Sequence, residues 1–395
     1  MPPPPPLHGV RVLEAARVLA GPFCGQLLAD LGADVVKLER PGGGDDTRAW
    51  GPPFRGDLSA YFLSCNRNKR SVTLDIRHPA GAAVLDTLLA QSDVLLENFR
   101  TDSLPKLKLT PAALLARHPR LVVCSVSGFG RTGPLADAPG YDFAVQALSG
   151  LMGVTGPPGG PPVKVGVAVV DVLTGLYAAT AVLAALHARE DSGHGYHIDL
   201  ALHDCALAAQ VNMAQAFRTG GTQPPRQGNA HLQIVPYDLF PTADGSLVLN
   251  VGNDSQWRSF CTVAEDAALG ADPRYATNRQ RVTHRAEVVP RVAALLSARP
   301  TAEWERRLEV AGVPHAVVRD YPAVFADEQV KHRGMALTVT DPGGKPVELV
   351  GSPFGAFGVG EHRSPPRLGA DTDAVLAGLG LSAEQVAALR AAGVV

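Results

Sequence analysis

The sequence predicts an α/β fold: a parallel sheet with both faces covered, and a smaller α+β domain after it. Three observations carry this. Short apolar runs alternate with helix-like stretches through the first 130 residues. The texture turns polar and rich in glycine, proline and glutamine near residue 220. The chain beyond Lys331 is too short to build a core of its own. With 395 residues, 46% of them hydrophobic, there is material for more than one core.

Val10–Ala16, Asp34–Leu38, Ser71–Ile76, Asp93–Phe99 and Leu121–Val126 read as strands. Between them Gly21–Gly32, Pro79–Ala90 and Pro111–Ala116 read as helices, the first with Phe23, Leu27, Leu28 and Leu31 able to share a face. The run from Asp171 to about Glu190 is the clearest helix. It is apolar almost all round, with Leu173, Leu176, Tyr177, Leu183 and Leu186 at helical spacings, so it is expected to be buried. Gly193–Gly195 stops it, Tyr196–Leu200 follows as a strand, and Leu202–Phe217 as a second, alanine-rich helix. In the smaller domain, Tyr237–Phe240 and Leu247–Val251 flank a four-residue turn and predict a hairpin. Helical patterns then occupy Ser255–Ala264, Arg285–Ser297 and Thr301–Ala311. In the tail, a turn is expected at Asp341–Gly344, and Ser382 with Gln385 spells a capping box for the last helix. The domains are therefore 1–221 with 331–395, and 222–330, the tail packing back on the first domain.

Composition narrows the function classes. Lysine plus arginine is 36 and aspartate plus glutamate 38, a net charge of -2, which gives no support to a nucleic-acid binder. The five cysteines, Cys24, Cys65, Cys124, Cys205 and Cys261, are scattered, odd in number and never in a CxxC pair. A disulfide framework and a zinc site are not expected. No long uninterrupted apolar stretch marks a membrane span, and the opening MPPPPPLHG lacks the features of a secretion signal. A frayed leader and a cytoplasmic protein are the expectations.

Gly128-Phe129-Gly130-Arg131-Thr132-Gly133 spells GxGxxG, but Pro134 and Pro139 follow where a dinucleotide site needs a long helix. A tight loop at the carboxyl edge of the sheet is the better reading. The glycine-rich loop at Pro41–Gly44 lacks the GK[ST] ending of a phosphate loop. Around it Arg40, Arg48, Arg67, Lys69 and Arg70 cluster, interleaved with Asn66 and Asn68. They are either solvated surface charges or partners of a phosphorylated cofactor or an acidic substrate. Asp171 follows Val167-Ala168-Val169-Val170 and opens the apolar helix. As a helix cap it would accept from backbone N–H groups, have a lowered pKa and stay ionised. It is then either a structural cap or an immobilised carboxylate nucleophile at a sheet edge. Asp142 is an equally good cap by pattern, and Asp199 is expected to face outward. No histidine arrangement resembles a metal site, and GxSxG is absent.

These residues also carry a resemblance. Val12-Leu13-Glu14, Ala20-Gly21-Pro22-Phe23, Leu31 to Arg40, Gly44-Asp45, Asn66 to Ser71, Glu97-Asn98-Phe99, Ser127 to Gly130, Gly133-Pro134, Tyr141-Asp142, and Asp171 with Gly175 together resemble the class III CoA-transferases. Gly44 to Arg48, Trp50 to Phe54, Ser64 to Lys69, Ile234 to Tyr237 and the terminal Ala391 to Val395 lean toward the branch that uses succinyl-CoA and glutarate.

The resemblance implies a Rossmann-like large domain, an inserted smaller domain and a homodimer of interlocked rings. It implies reversible transfer of coenzyme A from an acyl-CoA donor to a small dicarboxylic acid, with Asp171 as the covalent nucleophile. CoA and acyl-CoA are then substrates, and no tightly bound cofactor is expected. The family's CoA contacts fall on Val18, Leu19, Ala20, Arg40, Leu74, Arg77, Asn98, Phe99, Arg100 and Lys106. Tyr141 falls in the adjacent loop, and backbone N–H groups near Leu19 and Ala20 could steady an oxyanion. Trp50 falls among the supporting residues, and Asn229 and His231 fall in the segment matching a lid. Arg48 or Arg67 is expected to hold the acceptor's second carboxylate. The alternatives are an α-carbon racemase of an acyl-CoA, for which Tyr141 stands where the racemases carry histidine, and a catalytically silent CoA-binding protein.

Overall fold

The computed structural model describes residues 3–395. They fall into two compact units. One takes the chain up to Leu151, with Val165–Val211 and Phe325–Val395. The other takes Met152–Lys164 and Asn212–Val324. The smaller unit thus begins ten residues earlier than the polar stretch at 222, and it claims the separate segment 152–164.

The first unit is built on six parallel strands, β1 (Arg11–Ala15), β2 (Asp34–Glu39), β3 (Arg70–Thr73), β4 (Val94–Glu97), β5 (Val122–Ser127) and β6 (His197–Ala201). Their spatial order is β3-β2-β1-β4-β5-β6. The order reverses between β1 and β4, and ligands of open α/β sheets bind in the crevice that opens at the carboxyl ends of such a pair. Consecutive side chains leave opposite faces of the sheet. Val12, Val35, Val94 and Val122 therefore enter one apolar cluster. Their neighbours Leu13, Val36, Leu95 and Val123 enter another.

The first cluster is covered by α1 (Ala20–Asp30) and a 24-residue helix, Val169–Ser192. The second is covered by α3 (Pro79–Ala90), which follows the short α2 (Ala60–Cys65) in the chain, and by the tail. From the tail Val375, Leu376, Val386 and Val394 reach this cluster. The capping box forms as expected, with Ser382 and Gln385 exchanging both bonds. The chain start is not frayed where it is described: Leu7 is buried and its N–H donates to Leu31 O at 2.9 Å. Met1 and Pro2 lie outside the described residues.

The long helix departs from its expected burial. Its buried stripe is Val170, Thr174, Gly175, Ala178, Ala179, Val182, Ala185, Leu186 and Arg189. Leu176, Tyr177 and Leu183 are exposed. Small residues let this helix lie close to α1, so the face chosen for packing is set by side-chain size as well as by apolarity. By length and apolarity it would also meet the requirement for a membrane span; here one side of it packs on α1 and the sheet. The segment expected as one helix after β6 is two, Leu202–Ala208 and Val211–Gly220. Val211 has φ +26°, which a continuous right-handed helix does not allow.

The smaller unit has the expected antiparallel hairpin, Tyr237–Pro241 paired with Ser246–Asn250. Its own core gathers Trp257, Phe260, Val292, Leu296, Trp304 and Leu308, all fully buried. Arg281 is buried with them, its guanidinium donating to Val235 O, Tyr275 O and Asp254. The indole Nε1 of Trp304 donates to Leu296 O at 2.8 Å.

Candidate active site

At the crevice between β1 and β4 the structure holds a cavity of 310 Å³. Its walls come from three sheet-edge segments: Arg17–Ala20 after β1, Asn98–Asp102 after β4 and Val126–Gly128 at the end of β5. Arg131, Ala136–Tyr141, Asp171 and Leu202 complete it. A second cavity of 1050 Å³ shares Arg17, Asn98, Phe99 and Arg100 with the first. Arg40, Arg77, Lys106 and Lys108 give it a cationic rim, and Leu38, Leu74, Ile76 and Leu107 give it apolar walls.

Asp171 reaches the first cavity because of two close approaches. We label the 24-residue helix Val169–Ser192 α5 and the helix Asp142–Leu148 before it α4. Gly175 lies one turn after Asp171 on α5. A Cβ at Gly175 would stand 2.8 Å from Ala20 O and 3.0 Å from Phe23 Cδ1, so only glycine lets α5 press against the start of α1. Gly128 and Gly140 make the second approach. A Cβ on Gly128 would fall 2.6 Å from the Gly140 Cα. The GxGxxG segment is therefore a tight loop, with Gly130 and Gly133 at φ +88° and +87°, and no helix opens on it. Arg131 ties this loop to the end of β4 through Glu97, at 2.8 Å, and Phe99 O. Asp199 is exposed, as expected, and its carboxylate accepts from Arg131 N at 2.9 Å.

Asp171 is not the cap of its own helix. It sits at the third helical position, and the cap is supplied by Asp142, whose Oδ1 accepts from Val170 N at 2.8 Å and Asp171 N at 3.3 Å. Asp142 Oδ2 accepts from the buried Gln146 side chain at 2.6 Å. The expected lowering of the Asp171 pKa is thus reversed. Burial comes first and the neighbouring Asp142 charge second, and together they push it up to about 7. Tyr61 on α2 is also pushed up, to about 12, by burial and then by the Asp171 charge, so its hydroxyl keeps its proton. Tyr61 packs edge-on against Trp50, with ring centroids 5.1 Å apart.

The raised Asp171 pKa has a consequence for stability. The folded protein binds a proton that the unfolded chain releases near the ordinary aspartate range. The contribution of this group is complete below about pH 4 and is lost as pH rises through about 7. Asp171→Asn is therefore expected to raise the melting temperature, by a gain that grows between pH 4 and 7 and is worth about 4 kcal/mol above that. Thermal melts of both proteins across this range check it.

All ten residues expected to contact CoA line one of the two cavities: Val18, Leu19 and Ala20 the first, Arg40, Leu74, Arg77 and Lys106 the second, and Asn98, Phe99 and Arg100 both. Tyr141 is 65% exposed on the first. Arg48 and Arg67 are elsewhere. Arg48 is paired with Glu39 through Nε at 2.7 Å and Nη2 at 2.6 Å, and is stacked on Phe62. Arg67 is buried against Asp30, with Nε at 2.9 Å and Nη2 in contact. Neither guanidinium lines either of these two cavities, because each meets a buried carboxylate of its own chain. Asn229 and His231 lie in the smaller unit, where His231 N donates to Tyr237 O at 3.0 Å and the two rings pack together. Arg17, Tyr61 and Lys108 were not among the expected site residues. Arg17 directly precedes the marked segment Val18–Ala20, but nothing in the local spacing of Tyr61 announces it. Among the described residues, no group of three or more His, Cys, Asp or Glu side chains could hold a metal ion.

The sequence pattern of CoA-transferase family III matches residues 7–372. The chain is 44% identical over 388 residues to succinate–glutarate CoA-transferase of Agrobacterium fabrum, covering 95% of this chain and 96% of that protein. It is 39% identical over 373 residues to human succinyl-CoA:glutarate CoA-transferase, covering 94% and 85%. Among solved structures, a CAIB/BAIF family protein from Brucella suis matches with a TM-score of 0.83 and 40% identity, over 95% of this chain and 100% of that one.

Proposed function

Because the chain belongs to CoA-transferase family III, we propose that it moves coenzyme A reversibly from succinyl-CoA to glutarate, with Asp171 as a covalent relay. One observation carries the reading: a half-buried carboxylate, beside Asp142, on the wall of a small cavity that shares Arg17, Asn98, Phe99 and Arg100 with a large cation-rimmed one. The rim suits the phosphates of CoA, and the apolar walls beside it suit the pantetheine arm. The identity to the Agrobacterium fabrum and human relatives supports the choice of acids.

The Asp171 carboxylate attacks the thioester carbonyl of succinyl-CoA. The C–S bond breaks, CoA leaves as its thiolate and a succinyl–aspartyl anhydride remains. The thiolate then attacks the aspartyl carbonyl, succinate departs and CoA is held as an aspartyl thioester. The glutarate carboxylate attacks that thioester and frees the thiolate again, leaving a glutaryl–aspartyl anhydride. Attack of the thiolate on the glutaryl carbonyl gives glutaryl-CoA and restores the carboxylate. No net proton moves, and each step exchanges one acyl bond for another. Burial weakens the hydration of Asp171 and limits hydrolysis of the anhydride. The first N–H groups of α1 have no intrahelical partner, and Leu19 supplies no side-chain cap. They suit the oxyanion of each addition.

The protein is expected to act as a homodimer of interlocked rings, a reading supported by the exposed apolar side of α5 at Leu176, Tyr177 and Leu183. The activity is tested by incubating the protein with succinyl-CoA and glutarate and weighing the CoA esters. Glutaryl-CoA and succinate are expected in equal amounts, with little free CoA. Hydroxylamine added during turnover is expected to label Asp171. Release of free CoA without a new ester, or transfer only to acids other than diacids, overturns the reading.

A further inference from the structure

The segment Arg17–Val18 joins β1 to α1 and forms one wall of the smaller cavity. Its four backbone polar groups are all held by side chains. Arg17 N donates to Asn98 Oδ1 at 3.0 Å, and Arg17 O accepts from Asn98 Nδ2 at 2.8 Å. Val18 N donates to the Asp45 carboxylate at 3.2 and 3.3 Å, and Val18 O accepts from Cys65 Sγ at 3.8 Å. Val18 needs this grip. Its φ is +72°, in the left-handed region that a β-branched residue avoids. A non-glycine residue stays there only where its surroundings force it.

Asp45 is itself immobilised. It is 1% exposed and its Oδ2 lies 2.9 Å from Lys37 Nζ. Its Oδ1 accepts from Thr47 N at 3.0 Å and Thr47 Oγ at 2.8 Å. Lys37 also donates to Glu14 at 2.9 Å and to Ala16 O at 3.0 Å. Glu14 lies 2.7 Å from Lys69 in turn. Burial alone would favour a neutral Lys37, but Glu14, Asp45 and Glu39 outweigh it and keep the ammonium charged. Lys69, Glu14, Lys37 and Asp45 thus form a buried chain of alternating charge whose far end grips one strained backbone N–H. Buried ion pairs of this kind add little net stability, so their value here is geometric.

We propose that Asp45 is a positioning residue for acyl transfer: held by Lys37, it locks Val18 in left-handed backbone and so orients the free N–H groups at the start of α1 toward the acyl carbonyl carried by Asp171. The proposal rests on the transfer reading above. Asp45 borders the larger cavity at its buried end, 1% exposed, and is on no wall of the smaller one where Asp171 stands. Its removal lets Val18 relax to negative φ, which rotates the peptide planes at Leu19 and Ala20 away from the cavity.

A double-mutant cycle on the full-length protein tests this, using succinyl-CoA and glutarate. Asp45→Ala is expected to lower kcat roughly thirtyfold while changing KM for succinyl-CoA less than about threefold, the split expected when transition-state stabilisation alone is lost. Val18→Gly makes left-handed backbone available without the grip. Adding it to Asp45→Ala is therefore expected to restore kcat by about tenfold, even though it costs further thermal stability. A purely structural role for Asp45 predicts the opposite, a double variant no more active than Asp45→Ala. That result, or wild-type kcat in Asp45→Ala, overturns the proposal, as does a loss confined to KM. Should Asp45→Ala not fold, the same cycle is read with Asp45→Asn, which keeps an acceptor but loses the charge that Lys37 holds. Failure of the transfer reading shows separately, as absence of glutaryl-CoA from the unmodified protein, and takes the proposal with it.

Discussion

Asp171→Ala is expected to reduce exchange between succinyl-CoA and glutarate by roughly four orders of magnitude, the scale seen when a covalent nucleophile is removed. The substitution deletes the carboxylate that accepts the acyl group and then CoA in the proposed route, so neither anhydride nor aspartyl thioester can form. It leaves the Asp142 cap on α5 in place, since the capped atoms are the backbone N–H groups of residues 170 and 171. The cation-rimmed cavity is lined by residues of other segments, so affinity for CoA should change little. Mass measurement of product esters gives the rate, and calorimetric titration with CoA gives the affinity. Exchange at wild-type speed in this variant would rule out the relay.

Gly175→Val is expected to be almost as damaging by a different route. The new Cβ would stand 2.8 Å from Ala20 O, a backbone atom at the start of α1. The two helices must separate by a few tenths of an ångström at least, and the added branches require more. That moves Asp171 relative to the α1 N–H groups, and misplacement of about 1 Å at a reacting centre can cost a hundredfold in rate. We expect kcat to fall by about that factor and the melting temperature to fall with it, since overpacking costs about 1–3 kcal/mol. Gly175→Ala places the same Cβ without the branches and is expected to fall between wild type and Gly175→Val. Rates and melts of the two variants in parallel check the ordering.

Much of this arrangement was legible in the sequence. Strand positions emerged because parallel strands buried on both faces are short apolar runs, as in Val94–Glu97 and Val122–Ser127. The return of the tail followed from its length, and Val375 and Leu376 do pack on the sheet. Asp171 stood out as a carboxylate in an apolar context. What sequence reading missed depends on partners distant in the chain. That Asp142 caps α5 cannot be read from a local pattern, because it also opens α4 and looks like that helix's own cap. Once the cap is taken, the Asp171 pKa shifts in the opposite direction. Arg48 and Arg67 looked available because Glu39 and Asp30, their partners at 9 and 37 positions' separation, lie in other elements. The buried side of α5 was misjudged because periodicity counts apolar residues and does not weigh the small ones that let α1 approach.

The pairing of Asp142 with Asp171 also bears on the energy level of the covalent species. Before turnover two carboxyl groups share a half-buried corner, and the one that reacts resists ionisation up to about pH 7. Forming an ester-like bond at Asp171 abolishes its negative charge and relieves that repulsion. The free enzyme is lifted while the adduct is not, so the gap between them narrows by up to about 4 kcal/mol. A strained, energy-rich anhydride then becomes a shallow stop between two nearly level thioesters, which is the condition for running the exchange equally well in either direction.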